Sequence, residues 1–217
     1  MRPVPRFSLR DTEGAACVFP GERPALLCFL HRECPTCELS LPLIEAAHAG
    51  FGERMDVWII AQDTDGGAKL RTEHRLSVPV LDDSELAVSF AAGIETVPTV
   101  VVFGRGGEEA RRFEGFAVAD WRRLFSDAAA TTGLDADVPD WSTFPELRPG
   151  CGSRSVEPGI AERLQAKAEG SPLRARRIEI GSALDPFEFM FEQGLSDGLP
   201  VIPPTPERVL RMLEGTR

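Results

Sequence analysis

The stretch that most constrains this chain runs from Pro24 to Cys37. Its first part, Pro24–His31 (PALLCFLH), is an apolar run too short for a helix, and it reads as a buried strand of a parallel sheet. Cys34-Pro35-Thr36-Cys37 follows and opens a segment, Pro35 to Gly50, with apolar residues at Leu39, Leu41, Leu43, Ile44, Ala47 and Ala49. That spacing predicts a helix ended by Gly50 and kinked at Pro42. A cysteine at a helix start faces unpaired backbone N–H groups and the positive end of the helix dipole, both of which favour the thiolate. A thiolate there attacks a disulfide, and a second thiol one turn later attacks the mixed disulfide and releases the product. Cys34 therefore reads as the nucleophile and Cys37 as the resolving, more buried thiol.

The neighbouring segments supply the rest of an α/β unit. Asp56–Ala61 (DVWIIA) and Thr99–Phe103 (TVVVF) read as strands, and 79–83 as a brief extended segment. Gly66–His74 is helix-like, Ser84–Ala92 is a helix with Ser84 as its N-cap and Gly93 past its end, and Ala119–Ala130 is a closing helix. Gly104–Gly107 turns the chain back into Glu109–Phe113, so a mixed sheet ends in an antiparallel edge. This gives one domain over residues 1–132. Residues 133–170, rich at first in Gly, Pro, Asp and Ser, read as a linker with a short helix at 158–169.

Residues 171–217 read as a helical and extended docking extension. A strand is expected at 177–180, a helix from Asp185-Pro186 through Leu195, a proline-rich extended strap, and a last helix from Thr205-Pro206. The apolar content is too high for a free linker. The extension is expected to dock on the first domain, on a second copy as a homodimer, or on another protein.

Composition removes several classes of function. A formal charge of −10 argues against nucleic acid as a partner. No apolar run approaches the roughly 20 residues that span a bilayer, so no membrane partner is expected. Met1–Phe7 is not followed by an apolar stretch, so no signal peptide is read and the cytoplasm is the expected compartment. Five unevenly spaced cysteines argue against a disulfide framework. Zinc is the alternative for Cys34 and Cys37, but they supply only two of the four ligands a structural site needs, and His31 is a third only if it leaves the strand. No metal and no cofactor are expected. Cys28 reads as a core thiol and Cys17 as a bystander. Cys151, in Pro149-Gly150-Cys151-Gly152-Ser153, stands as either a bystander or a third redox thiol exchanging with Cys34.

From Phe7 to about Phe125 the chain resembles the thioredoxin-like superfamily, in its TlpA/redoxin branch. The resemblance rests on Phe7-Ser8-Leu9-Arg10-Asp11 with Gly14, on the strand before the CxxC, on Pro42 five residues after Cys37, and on Gly93-Ile94-Glu95-Thr96-Val97-Pro98-Thr99. It implies a thioredoxin fold, a cis Val97–Pro98 bond, and a backbone at Val97 that pairs with substrate like an added strand, with Pro35, Thr36, Val97 and Pro98 facing the substrate. The sequence departs from the branch in three places. Glu33 stands where most relatives have Trp, Cys28 where thioredoxins have a buried Asp, and Ser40 where TlpA-type reductases have Glu. Glu33 disfavours the thiolate while His31 and Arg32 favour it, so His31 and Glu33 are candidate modulators, and Glu33 or Glu38 a replacement proton relay.

The resemblance implies a dithiol reductase of protein disulfides, or of a dedicated redox partner. Two alternatives stay open: a non-enzymatic docking module acting through its tail, and a peroxiredoxin-like peroxidase. The second lacks its Pro-x-x-x-Thr/Ser-x-x-Cys setting, because Leu27 and His31 occupy those two places before Cys34.

Overall fold

A short hairpin, β1 (Phe7–Arg10) and β2 (Ala16–Phe19), leads into β3 (Ala25–Leu30), whose six residues are all buried. Then come α1 (Pro35–Phe51), the equally buried β4 (Asp56–Ala61), α2 (Ala68–His74), β5 (Val80–Asp82) and α3 (Ala87–Ala91). Pro98 separates β6 (Thr96–Val97) from β7 (Thr99–Phe103); β8 (Glu109–Glu114) returns beside β7, and β9 (Phe116–Ala117) runs into α4 (Val118–Thr132). Further on lie β10 (Leu147–Arg148), β11 (Cys151–Gly152) and α5 (Ile160–Ala168), with single 3-10 turns at Trp141–Thr143 and Arg154–Val156. These are features of a computed structural model that describes residues 3–168, 170, 178, 180, 181, 184–199 and 201–215, without the side chains of Glu207 and Glu214.

The main sheet has the order β5-β4-β3-β7-β8, parallel among its first three strands and antiparallel from β3 to β7 and β8. Central strands covered on both faces need apolar residues at every position, which is why β3 and β4 carry no polar alternation. Leu26, Leu27, Phe29, Leu30, Ile59 and Ile60 are fully buried, each at about 1.5–3 kcal/mol of transfer free energy. This rigid centre fixes the C-terminal ends of β3 and β4, where α1 begins and the chemistry-bearing residues collect.

Boundaries differ from the sequence expectations where local capping decides them. α1 runs through Phe51 and is capped at Gly52, not ended by Gly50. Ser84 does not cap α3; the helix starts after Leu86, and the Asp83 carboxylate reaches past Ser84 to accept the N–H groups of Val88 (3.0 Å) and Ser89 (2.8 Å). A short carboxylate aimed at two orphan donors displaces the nearer hydroxyl as the cap.

The chain divides into two compact units, Met1–Leu164 and Gln165–Arg217. The first takes in most of the segment that reads as a linker, because β10 pairs with β9 and β11 with β6. The second holds α6 (Pro186–Glu192), which starts where Asp185 accepts the Phe187 N–H at 2.7 Å, and α7 (Pro206–Glu214). α6 stops short of the expected Leu195, ahead of Gly194 in a left-handed conformation. The strand expected at 177–180 lies largely outside the described residues. Among the described residues, no helix is long and apolar enough to cross a membrane.

Candidate active site

Cys34 is the N-cap of α1, and its sulfur accepts the Cys37 N–H at 3.4 Å. A cap usually offers a hydroxyl or carboxylate oxygen to the third helical N–H; here a thiol sulfur takes that place, with Pro35 at the first helical position. The consequence is electrostatic. The Cys34 pKa is lowered to about 5, first by the Cys37 side-chain hydrogen bond, opposed by burial, and then by hydrogen bonds from the Cys151 side chain and the Cys37 and Thr36 backbone. The Cys37 thiol moves the other way, pushed well above its ordinary value by burial and by the hydrogen bond it gives Cys34. One sulfur is therefore ionised at neutral pH and its neighbour protonated, the pairing a dithiol exchange requires.

Of the other predicted residues, Val97, Thr36, His31 and Cys151 are tied to this site by side-chain hydrogen bonds or strand pairing, and the rest are not. The Val97–Pro98 bond is cis, both residues are buried, and the Cys34 sulfur lies 3.5 Å from the Val97 carbonyl, to which it donates when protonated. Thr36 is buried and Pro35 exposed. His31 is buried with Nε2 at 3.2 Å from the Gly152 carbonyl, to which it donates. Glu33 is exposed and pairs with Arg154 at 3.2 Å, and Glu38 is exposed as well. Cys28 is fully buried in β3, and burial alone pushes its thiol up. Cys17 lies in β2 opposite Leu9. Ser40 is buried and donates to the Thr36 carbonyl at 3.0 Å. Among the described residues, no group of three or more His, Cys, Asp and Glu side chains is arranged to hold a metal ion.

The largest difference from expectation is that Cys34 itself is 0% exposed, as covered as Cys37. Residues 147–152 lie against the site. Leu147 and Arg148 pair with Ala117 and Phe116, and Cys151 and Gly152 pair antiparallel with Val97 and Thr96. Thr36 Oγ1 donates to the Pro149 carbonyl at 2.8 Å, tying this strap to the CxxC itself. Cys151 is half-buried, and its thiol is raised by burial and by its hydrogen bond to Cys34.

Sequence reasoning missed the polar residues that anchor the strap. Gln62, just past β4, donates to Ser89 and Ser153 at 2.9 Å each, and its carbonyl accepts the Arg154 N–H at 3.0 Å. Ser153 also contacts Ser155, which donates to the Ile94 carbonyl at 2.8 Å. Asp63 is buried, accepts the Arg32 N–H through both oxygens at 3.1 Å, and has its carboxyl raised by burial. The available signal was positional: Gln62-Asp63 directly follows a fully apolar strand at the carboxyl edge of the sheet, where sites of α/β folds lie.

No protein family matches the chain in sequence, and no curated protein is similar to it. Solved structures are similar in fold. A thioredoxin-type protein from Neisseria meningitidis is 23% identical, with a TM-score of 0.52 over 59% of this chain and 88% of that one. A DsbE-type thiol:disulfide interchange protein from Chlorobium tepidum is 20% identical, with a TM-score of 0.52 over 61% of this chain and 96% of that one. DsbF of Mycobacterium tuberculosis is 19% identical, with a TM-score of 0.51 over 61% of this chain and 100% of that one. The chain has the thioredoxin fold that the residues around Cys34 and Pro98 resemble.

Proposed function

We propose that the chain is a thiol–disulfide oxidoreductase that reduces protein disulfides, with Cys34 as nucleophile and Cys37 as resolving thiol. The observation that carries the dithiol part of this reading is the split between the two sulfurs, with Cys34 lowered to about 5 at a helix N-cap and Cys37 raised beside it, while the reducing direction follows from the resemblance. Cys34 thiolate attacks a substrate disulfide and one substrate sulfur leaves as a thiolate. Cys37 then loses its proton and attacks the Cys34 sulfur, the second substrate sulfur leaves, and the Cys34–Cys37 disulfide remains. Two protein thiols are oxidised for each substrate disulfide reduced. The substrate is a protein disulfide or a dedicated redox partner, and the cytoplasm is the compartment that suits a reductase.

The test is the reduction potential of the pair, by dithiothreitol titration with mass-shift readout. A value near about −270 mV supports a reductase, whereas about −120 to −180 mV turns the proposal into an oxidase or isomerase. Cys34→Ser is expected to abolish disulfide reduction; a fully active variant sinks the reading.

A further inference from the structure

The strap over Cys34 is built in the manner of a bound strand. Its β11 residues add to β6 by antiparallel backbone pairing, with Cys151 directly opposite Val97. Backbone pairing of this kind is how an extended peptide joins a free strand edge. On the reading above, Val97 is where substrate backbone is expected to pair, so the chain has laid its own segment in that place. The segment carries a thiol at Cys151, the residue opposite Val97, whose carbonyl lies 3.5 Å from the Cys34 sulfur.

The seat is fitted to this segment. Gly150 leaves no room for a side chain, since a Cβ there would stand 2.4 Å from Thr96 Cγ2 and 2.6 Å from the Val97 carbonyl oxygen. Three hydrogen bonds hold its ends: Thr36 Oγ1 to Pro149 O, His31 Nε2 to Gly152 O, and Ser153 N–H to Glu95 O at 2.9 Å. Cys151 is thus presented to Cys34 by a fixed backbone, and a thiol so held acts at a high effective concentration.

We propose that Cys151 is the third thiol of this redox site, an internal substrate that forms a disulfide with Cys34 in exchange with the Cys34–Cys37 disulfide. This inference rests on the dithiol reading of Cys34 and Cys37. In the exchange, Cys151 loses its proton and attacks the Cys34 sulfur of the Cys34–Cys37 bond. The Cys34–Cys151 bond forms, the Cys34–Cys37 bond breaks, and Cys37 leaves as a thiolate that takes up the proton. One disulfide and one thiol stand on each side, so no outside oxidant or reductant is consumed. The Cys34–Cys151 form keeps the strap closed over an oxidised site, and return to Cys34–Cys37 frees the strap to yield to a dithiol that reduces the pair.

The test uses the full chain carrying Cys37→Ser, with Cys37→Ala as a second variant should the buried position reject the hydroxyl. Each is oxidised with oxidised glutathione, free thiols are alkylated, and the linked peptides are identified by mass spectrometry. Cys34 thiolate takes one glutathione and releases the other; Cys151 then attacks the Cys34 sulfur and releases the second. The expected result is a Cys34–Cys151 bond, with about tenfold or more less glutathione left on Cys34 than in a Cys37→Ser/Cys151→Ser chain. Glutathione retained on Cys34 with Cys151 alkylated overturns the third-thiol proposal while leaving the dithiol reading standing, provided the natural chain forms Cys34–Cys37. A natural chain with neither a disulfide nor a glutathione adduct at Cys34 overturns both.

Discussion

Two regions beyond α4 contrast in composition and in what becomes of their side chains. Residues 147–156 are short of large apolar side chains, yet they are bolted down: Ser153 and Ser155 are each 1% exposed and fully engaged in hydrogen bonds. Residues 186–213 are rich in large apolar side chains, yet many of these face outward: Phe187 is 50%, Phe191 58% and Ile202 77% exposed. Composition alone ranks the second as the docked segment and the first as a linker. What holds the first is a set of directed bonds to sheet-edge backbone and to one buried amide, and each bond left unmade inside a protein costs more than an average bond made there contributes. Apolar richness creates a demand for burial; it does not say where the burial takes place.

The sharpest way to break the contrast is to lift the strap. Gly150→Ala forces a Cβ against the Val97 carbonyl, a backbone atom that cannot swing aside. Overpacking of this kind costs about 1–3 kcal/mol, or roughly 5- to 150-fold in the population of the open strap. Alkylation of Cys34 by iodoacetamide is expected to accelerate by a factor in that range. The rate is also expected to rise as pH goes up through about 5 and to level off above it, because the reactive thiolate is lost below the lowered pKa of Cys34. An unchanged rate means that something other than this strap covers the sulfur.

A smaller effect is expected at the anchor. Ser153→Ala leaves the Gln62 side chain short of partners in a buried site, a loss of about 1–3 kcal/mol read by denaturant unfolding of the chain. If stability does not change, the buried network is not what secures the strap. Ser153→Thr keeps the hydroxyl and is expected to recover part of the loss.

The legible part of this molecule is the part dictated by pattern. β3 and β4 announce themselves because strands buried on both faces must be apolar at every position, and α1 because Pro35 starts a run with helical spacing. The pairing of Cys34 with Val97 and Pro98 was within reach only through resemblance, since nothing in the spacing of residues 34 and 97 brings them together. The strap was not legible. Its strands are two residues long, its bonds are to backbone and to scattered polar side chains such as Thr36, His31 and Gln62, and Gly150 and Ser153 look the same in a loop as in a seat. The covering of Cys34 was missed for this reason: a segment held by backbone and scattered polar bonds leaves no hydrophobic signature. At Ser84 the pattern was read too locally, because Asp83 reaches over its neighbour to cap α3.

The tail offers the smallest expected effect, and it sharpens the contrast from the other side. Replacing Phe187 and Phe191 by Ser removes two large side chains, but each already leaves half or more of its surface in water. Transfer free energy scales with the area withdrawn from water, so these two rings contribute little to the folding of the chain that carries them. The double variant is expected to keep its main unfolding midpoint, with a change within about 0.5 kcal/mol, and to keep the natural rate of Cys34 alkylation. Size-exclusion chromatography with light scattering, run beside the unfolding curves, reads the other demand of an apolar surface. A drop in particle mass on substitution identifies the surface as one that joins copies of the chain. A stability loss as large as that of Ser153→Ala, with no change in mass, places the two rings in the folded core and erases the contrast.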